Sequence, residues 1–459
     1  MPETLKQVVD RVKAAKTAIG NAIVAKGGTV GANDGLEEYP ADIATIPTGG
    51  ITPAEPKDVN FYDYDGTCLY SYTADEFAEL SAMPANPSHS GLTAQGWNWS
   101  LADAKEYVAK YDSLIIGQMY VTSDGKTRIY INLSDGAKAP YLQLYLYANS
   151  EIEVDWGDES SITTYTSSSA GIVTHQHTYS TAGKYVISIT TISGSFGLNK
   201  STYSFLNGNG VGDSIYTRTV ERIEIGNGIT TLGSYALQNF SCIECITLPQ
   251  SINAFGTYCF QNCFRLKSLI VPDGVTNLNN SFIEQCYSFL TISLPKSVKT
   301  EERYTFALTY IRNIAIGNIT QVPNNCLSSC SMLSSVVLSS SLRSIGVEAF
   351  RYCVSLYFVK FTATTPPVIS NINAWNSVQS GCYILVPLNT LDDYLNTTNM
   401  PDDSVYMYLC YAKYADGVTL PTTSEDGYSL TWYASKDDAR AGTNPITVGN
   451  NKEIFAVGV

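Results

Sequence analysis

The most regular feature of the chain is a hydrophobic pattern that recurs every 22 or 23 residues from Ile223 to Phe358. Each unit opens with two apolar residues separated by one position, such as Ile223 and Ile225, and continues through a turn to a second apolar pair. Apolar residues separated by one position point to one face of a strand, so the opening pair predicts a short strand facing inward. Such a unit cannot bury its own apolar face, and stacking of successive units supplies the core. The six units are 223–245, 246–268, 269–291, 292–313, 314–335 and 336–358.

This periodicity is typical of a leucine-rich-repeat solenoid, and the last unit carries a more specific likeness. The stretch from Ile345 to Leu356, with its central Phe350, resembles the BspA-like subclass of these repeats. That subclass is known from bacterial surface adhesins and from proteins of phages that infect gut bacteria. The resemblance implies a solenoid over residues 206–400 that ends in a terminal cap at 365–395.

Upstream of the repeats, apolar and polar residues alternate in a way that predicts a β-sandwich. Its strands run from Thr127 to Leu133, Leu142 to Tyr147, Ile152 to Trp156 and Tyr185 to Ile192. Residues 154–158 (Val-Asp-Trp-Gly-Asp), then His177 and Tyr179, then 183–187 (Gly-Lys-Tyr-Val-Ile) resemble the polycystic-kidney-disease (PKD) domain. That resemblance implies an immunoglobulin-like sandwich over residues 125–200, of a kind common in extracellular and surface proteins.

The PKD-like motif holds the first candidate for a metal site. We expect Asp155 and Asp158 to close a turn by accepting backbone hydrogen bonds, with Trp156 covering one end of the core. The alternative is a metal site formed by Asp155, His175 and His177, because His-x-His on one strand places both rings on the same face. The matching positions are structural in the resembled family, so the resemblance implies no metal here.

Four further segments complete the prediction of a multidomain, mainly β protein. Apolar residues at helical spacing predict a helical attachment or oligomerisation segment at 1–47, followed by a linker at 48–57. Residues 58–124 mix short strands with two helical patches and predict a small α+β unit. At 405–459, the stretch from Tyr428 to Tyr433, together with the segments that follow it, resembles a small β-grasp-like repeat of bacterial surface proteins.

Charge and composition exclude several classes of function. The 459 residues include 28 Lys and Arg against 42 Asp and Glu, and this net charge of −14 repels nucleic acid. No stretch approaches the roughly 18 apolar residues needed to cross a bilayer, so we expect no membrane insertion. The N-terminus lacks the pattern of a signal peptide, and we expect no secretion by the general route unless a signal has been removed.

The strongest argument for an enzyme is the turn from Asp63 to Thr67, with Asp65 and Gly66 inside it. It resembles the nucleophile loop of haloacid-dehalogenase-type phosphatases, in which two carboxylates flank a magnesium ion and one attacks phosphorus. Those enzymes also need a parallel α/β sheet behind the loop, whereas the sequence that follows here is almost entirely β. We therefore expect a tight turn between two strands, no catalytic residues, no cofactor-binding residues, no metal ligands and no enzyme activity.

The repeats present two further surfaces. The outward positions of the first strands form a face with one carboxylate and one amine far apart, which offers no acid/base pair for hydrolysis. These positions are Glu224, Thr247, Ile270, Ser293, Ala315, Val337 and Lys360. A second column holds Tyr235, Tyr258 and Tyr304, which we predict to point outward as a ligand-binding stripe that stacks on sugars or anchors a protein. The alternative is that they are ordinary surface tyrosines leaning on adjacent units.

Most of the eleven cysteines are explained by the same repeat. Cys263, Cys286, Cys330 and Cys353 occupy one column, which predicts an inward ladder of small apolar thiols. A ladder spreads its sulfurs along an axis, whereas a metal site needs ligands that converge on a point. We therefore interpret these thiols as structural.

Taken together, these modules favour a display protein. The main hypothesis is a phage virion structural protein of the tail-fibre or head-fibre type, facing outward from the particle. Its N-terminal segment would bind other virion proteins and form a homo-oligomer, with a trimer left open. Its other modules would bind a host surface glycan or protein. The alternative hypothesis is a bacterial cell-surface adhesin of the BspA-like class.

Overall fold

A computed structural model provides the fold. It describes residues 57–198, 204–207, 215–316, 319–401, 407–414, 417–425, 429–434, 438–439, 442–449 and 453–458. The predicted attachment segment at 1–47, and the linker as far as residue 56, lie outside the described residues.

Residues 57–122 form a four-stranded mixed sheet with two helices. The elements are β1 Val59–Tyr62, β2 Cys68–Tyr72, α1 Ala74–Ala78, β3 Leu92–Trp97, α2 Leu101–Tyr111 and β4 Leu114–Thr122. The strand order is β2-β1-β4-β3, with β1 parallel to β4 and the other pairs antiparallel. Thr73 begins α1 as a capping box with Glu76, and Ser100 caps α2 by accepting from the backbone of Asp103. Phe61 packs edge-on against Trp97 at 4.8 Å between ring centroids, which places an aromatic core within this α+β unit.

The next segment is a β-sandwich, in which the buried positions of β5 alternate with more exposed ones. Its strands are β5 Thr127–Leu133, β6 Tyr141–Leu146, β7 Ser150–Asp155, β8 Thr163–Ser167, β9 Gly171–Gln176, β10 Gly183–Ser193, β11 Phe196–Leu198 and β12 Leu206–Asn207. One sheet contains β5-β10-β7-β8, and the other joins β9, β12 and β11 to β6. The four strands predicted from alternation coincide with β5, β6, β7 and β10 to within about two residues at each end.

The repeats stack as a solenoid whose units each contribute a strand to two sheets. The first sheet contains β13 Val220–Glu224, β15 Cys245–Thr247, β17 Ser268–Ile270, β19 Thr291–Ser293, β21 Asn313–Ile316, β23 Ser335–Leu338, β25 Phe358–Phe361 and β27 Tyr383–Pro387. The second contains β14 Ile229–Leu232, β16 Ala254–Phe255, β18 Asn277–Leu278, β20 Thr300–Glu301, β22 Gln321–Val322, β24 Ser344–Ile345 and β26 Val368–Ile369. Among the described strands, the first sheet's ladder is interrupted between β15 and β17 and between β19 and β21. The prediction of a mainly β chain with a stacked-repeat solenoid is confirmed.

The third side of the solenoid consists of turns that bond to the next unit. The backbone N–H of Tyr235 donates to Thr257 O at 2.9 Å, and that of Tyr258 donates to Asn280 O at 2.9 Å. Tyr235, Tyr258 and their equivalents have positive φ, as do the residues four positions later in each unit. Left-handed backbone costs a non-glycine residue on the order of 1 kcal/mol. The inter-unit hydrogen bonds offset that cost and hold the column in place.

Both sheets of the sandwich continue into the solenoid. Strand β13 pairs antiparallel with β5 and parallel with β15, so Ile223 lies beside Ile129. On the other side, β14 pairs parallel with both β11 and β16. One hydrophobic cluster accordingly extends from Ile129 in the sandwich through the repeats to Ala456 near the C-terminus.

The C-terminal segment lengthens the first sheet. A 3₁₀ turn, Ile372–Trp375, stacks Trp375 on Phe350 at 5.0 Å, and the short helix α3, Leu391–Leu395, follows β27. Strands β28 Met407–Lys413, β29 Leu430–Tyr433, β30 Pro445–Ile446 and β31 Glu453–Gly458 then add to the sheet in the order β27-β28-β31-β29-β30. In the part of the chain that the structure describes, no helix is both long and apolar enough to span a membrane.

Candidate functional site

The outward face of the first solenoid sheet is covered by the α+β unit. Ile270, at the centre of that face, is only 4% exposed and lies against Gly117 of β4. A Cβ on Gly117 would lie 2.4 Å from two carbons of Ile270, so only glycine permits this approach. Glu224, Thr247 and Ser293 are buried on the same face. The predicted sheet face therefore exists, but the chain covers most of it with its own residues 57–122.

Polar side chains hold the α+β unit on the sheet. The Asn98 amide donates to Val271 O at 2.9 Å and accepts from Ser293 Oγ at 3.0 Å. The Trp99 indole N–H donates to Leu294 O at 2.9 Å. Lys360, the amine of the predicted face, pairs with Asp112 of the α+β unit. These contacts satisfy buried polar groups on both sides of the seam.

A cavity of about 580 Å³ remains between the α+β unit and the sheet. Tyr62, Trp99, Tyr107 and Tyr111 line it from the α+β unit, and strands β21, β23 and β25 line it from the solenoid. Its lining also includes core residues of two successive units, Val298, Glu301 and Ile319, on either side of the interruption between β19 and β21. The cavity therefore extends from the seam into the solenoid. Pockets of this size hold small organic ligands.

Glu301 is the exceptional polar group of this cavity. The residue is 8% exposed, its Oε1 atom has no hydrogen-bond partner among the described residues, and its Oε2 accepts from Cys326 Sγ at 3.4 Å. Burial disfavours the charged form and raises the pKa of this carboxyl to about 7. Glu301 was not identified from the sequence, although it stands in the column of Leu232 and Leu278, which is apolar and buried in the other units.

The predicted tyrosine column is only partly assembled. Tyr235 and Tyr258 stack with their ring centroids 5.0 Å apart and their planes at 14°. The equivalent residue of the next unit is Ser281, which separates Tyr258 from Tyr304 by two units. All three tyrosines are half-buried. Their role in binding stays a prediction, and any stripe that they form is interrupted at Ser281.

A second aromatic column was not identified from the sequence. Phe264, Tyr287 and Tyr310 are 39%, 41% and 41% exposed, with successive ring centroids 5.6 and 6.4 Å apart. Val354 occupies the same position two units further on and is also exposed, whereas the intervening unit has Ser331 there. We call Phe264, Tyr287 and Tyr310 the aromatic ridge. Their 23-residue spacing was visible, and the buried column immediately before them places them on the outside.

The Asp63 loop connects two antiparallel strands, as the tight-turn interpretation requires. Asp63 is buried and its Oδ2 lies 2.6 Å from His89 Nε2, while Asp65 Oδ1 accepts from the backbone of Thr67 at 2.9 Å. Hydrogen bonding to Asp63, with a smaller opposing effect of burial, raises the pKa of His89. One carboxylate thus pairs with an imidazole and the other shapes the turn.

The PKD-like motif also forms a closed turn. Asp155 Oδ1 accepts from Gly157 N at 2.9 Å and Asp158 Oδ1 accepts from Ser160 N at 3.2 Å, which confirms the predicted hydrogen bonds. His177 lies 2.8 Å from Asp158 and stacks on Trp156 at 4.6 Å. Burial of Asp158 opposes its ionisation, but the hydrogen bonds from Ser160 and His177 outweigh burial and lower its pKa. Among the residues described, no three His, Cys, Asp or Glu side chains converge as metal ligands would.

The cysteine ladder is buried as predicted. Cys263, Cys286, Cys330 and Cys353 each donate from Sγ to a backbone carbonyl of the preceding unit at 3.1 Å. Thr309 takes the equivalent place in the intervening unit and is also buried. Burial raises the pKa of Cys330 to about 11, which keeps its thiol protonated and unreactive at neutral pH. None of the cysteines forms a disulfide bond in the part of the chain that the structure describes.

Comparison with known proteins identifies the repeats. Residues 211–310 and 265–377 match the family described as BspA type leucine rich repeat region, in six copies. No curated protein matches the sequence. A leucine-rich repeat protein from Bacteroides ovatus is 17% identical, with a TM-score of 0.24. The likeness covers 41% of this chain and 66% of that protein, so this chain spans just under two thirds of its length. A leucine rich cell surface protein from Faecalibacterium prausnitzii is 17% identical over 39% of this chain and 77% of its own, with a TM-score of 0.19.

The assignment rests on the family match and on the stacked units rather than on these low TM-scores. The matched residues cover the same strands, turns and buried cysteine ladder that define the solenoid. Residues 211–377 are a leucine-rich-repeat region of the BspA type.

Proposed function

We propose that this protein is an adhesin of the BspA-like class that binds a partner at a cell surface through its solenoid. The repeat type supports this role, because the subclass that the repeats resemble is known from bacterial surface adhesins. The match to this family gives no support to the virion hypothesis. We therefore place the alternative hypothesis of the sequence analysis first and the virion hypothesis second.

The aromatic ridge carries the proposal. Its rings lie on successive units of a rigid solenoid and are about 40% exposed, so they offer a continuous aromatic surface with little entropy to lose on binding. The sheet face, which is the other extended surface of the repeats, is mostly covered by the α+β unit. Aromatic faces at this spacing suit the apolar faces of sugar rings or the side chains of a protein partner, and a glycan or protein ligand is accordingly part of the proposal.

The binding test replaces the ridge and leaves the core intact. We expect the triple variant F264A/Y287A/Y310A to bind labelled mucin-coated surfaces and bacterial cells at least about tenfold more weakly, because aromatic anchors dominate such interfaces. Its thermal unfolding should shift little, since all three side chains are exposed.

The matched control is Y235A/Y258A, which removes the stacked pair of the other column. Loss of binding in the control alone would transfer the proposed surface from the ridge to the tyrosine column. Unchanged binding in both variants would overturn the solenoid as the adhesive part.

Location is tested separately, by labelling intact source cells with a biotin reagent that does not cross membranes. We expect the protein to be labelled on intact cells. Its recovery in purified virus particles, without labelling on cells, would restore the virion hypothesis and its N-terminal contacts with other virion proteins.

A further inference from the structure

The cavity at the seam between the α+β unit and the solenoid contains an unsatisfied buried acid. Glu301 Oε1 has no partner in the described part of the chain, and the contact of Oε2 with the Cys326 thiol is long, at 3.4 Å. A buried carboxylate without a partner is costly, so such a group is either protonated or paired with a cation.

Most other charged groups around the cavity have partners within the chain. Lys57 pairs with Glu76, Lys267 lies 3.8 Å from Glu244, and Lys360 pairs with Asp112. The other two lining aspartates also have partners in the chain: Asp58 accepts from Ala74 N, and Asp65 accepts from Thr67 N. Arg312 lies on the wall with an exposed side chain. Glu301 is therefore the acid whose charge a bound molecule has to neutralise.

The walls restrict the chemistry of that molecule. Trp99 packs on Tyr107 at 5.0 Å and Tyr107 on Tyr111 at 4.5 Å, so one wall of the cavity is an aromatic cluster. Aromatic faces attract organic cations and pack against apolar bodies. A metal ion is a poor fit, because the described residues hold no group of three potential ligands. A neutral molecule would leave the charge of an ionised Glu301 unbalanced.

We propose that this cavity binds a small organic cation, a primary amine on an aromatic or apolar body, whose ammonium group pairs with Glu301. The body of the ligand packs against Trp99, Tyr107 and Tyr111. Below about pH 7 the unliganded Glu301 holds a proton, because its pKa is raised to about 7, and binding of the amine then releases that proton. This site lies apart from the aromatic ridge and does not depend on the proposed adhesive role.

The test is calorimetric titration of the full chain with benzylamine, tyramine and hexylamine, and with benzyl alcohol as the neutral counterpart of benzylamine. We expect at least one amine to bind saturably, and benzyl alcohol to bind at least about tenfold more weakly than benzylamine. Because the pKa of Glu301 is raised to about 7 and only the ionised acid pairs with the amine, affinity should fall as pH falls below 7 and level off above it.

Two variants and one control locate the binding. E301Q keeps the size of the side chain and removes the charge, and it should weaken amine binding at least about tenfold and abolish the pH dependence. V337W, on the outward side of β23, should block the cavity while leaving Glu301 in place. E302Q, at the adjacent exposed residue, is the matched control and should bind as the wild type does.

Three results would overturn the proposal. They are the absence of saturable binding for all three amines, equal binding of benzyl alcohol and benzylamine, and amine binding that is unchanged in E301Q or in V337W.

Discussion

Two parts of the chain join the solenoid in different ways. The sandwich joins it through backbone, because β5 pairs with β13 and β11 pairs with β14, and a single apolar cluster crosses the junction. The α+β unit joins it through side chains, with Asn98 and Trp99 bonding to backbone carbonyls and Lys360 pairing with Asp112. A cavity of about 580 Å³ remains at the second junction.

This difference separates a junction that completes the core of the solenoid from a junction that leaves room for a ligand. Removing the sandwich would expose two strand edges and a section of the core, so the sandwich completes the solenoid at its N-terminal end. The α+β unit has its own aromatic core and packs against the outward face of the first solenoid sheet. Its seam tolerates an unfilled volume and an unsatisfied acid, and these are features of a place where a ligand completes the packing.

The largest expected effect tests the continuous core. Ile223 is fully buried between Ile129 and Ile246, so I223A should cost about 2–5 kcal/mol of unfolding free energy. Hydrogen exchange followed by mass spectrometry should show faster exchange in the sandwich strands as well as in the repeats, because both share one cluster.

V368A is the matched control, since Val368 is 70% exposed and its truncation should change stability by less than about 0.5 kcal/mol. Faster exchange confined to the repeats in I223A would show that the two modules unfold independently, contrary to the shared core.

An intermediate effect tests the docked seam. G117A places a methyl group within 2.4 Å of Ile270, which should cost about 1–3 kcal/mol and loosen the α+β unit without altering exchange in the sandwich. The double variant G117A/I270A should recover part of that loss, and a double-mutant cycle of unfolding free energies measures the coupling.

G136A is the control, because a Cβ on Gly136 meets no atom within 4 Å. If G117A is as stable as G136A, or if I270A gives no recovery, Gly117 does not contact Ile270 as described.

The smallest effect concerns pH. His89 has a raised pKa through its hydrogen bond to Asp63, so its stabilisation is fully present below the ordinary pKa of histidine and is lost as pH rises through the raised value. We expect the α+β unit to lose less than about 1 kcal/mol of local stability between pH 6 and pH 8. Exchange rates in β1 and β4, corrected for intrinsic pH dependence, measure this loss, and H89Q should remove it.

The sandwich provides the contrast at acidic pH. Asp158 has a lowered pKa, so its contribution is present above the ordinary aspartate value and is lost as pH falls through the lowered one. If the sandwich strands lost stability between pH 6 and pH 8 together with the α+β unit, the two pH responses would not be separate.

Much of the fold follows from local pattern. The repeat spacing predicts the first solenoid strand of each unit, the cysteine column predicts a buried ladder, and Asp155 and Asp158 predict a hydrogen-bonded turn. In each case the information lies within one repeat or one turn, where backbone geometry and burial follow directly from residue type and spacing. The interruption of the tyrosine column at Ser281 can likewise be identified from the repeat spacing alone.

The candidate sites were less accessible to this reasoning. Phe264, Tyr287 and Tyr310 share the repeat period, but only the stacked units show that their rings adjoin and remain exposed. Glu301 does have a sequence signal, because it lies on β20 in the column that holds Leu278 and Val322 in the neighbouring units. That column predicts burial of the side chain but not the cavity beside it. The cavity depends on neighbours supplied by the next unit and by the α+β unit.

The sequence by itself determined that residues 223–358 stack as repeats, that the segment before them forms a sandwich of alternating strands, and that the thiols point inward. Only the tertiary structure decided that the sandwich shares its sheets with the solenoid, that residues 57–122 cover the sheet face, and that a cavity with a buried acid lies between them. The physical reason is the range of the interactions. Burial within the repeats follows a periodic pattern of residue types, which the sequence shows directly. Docking joins surfaces as far apart in sequence as Asn98 and Ser293, which share no pattern.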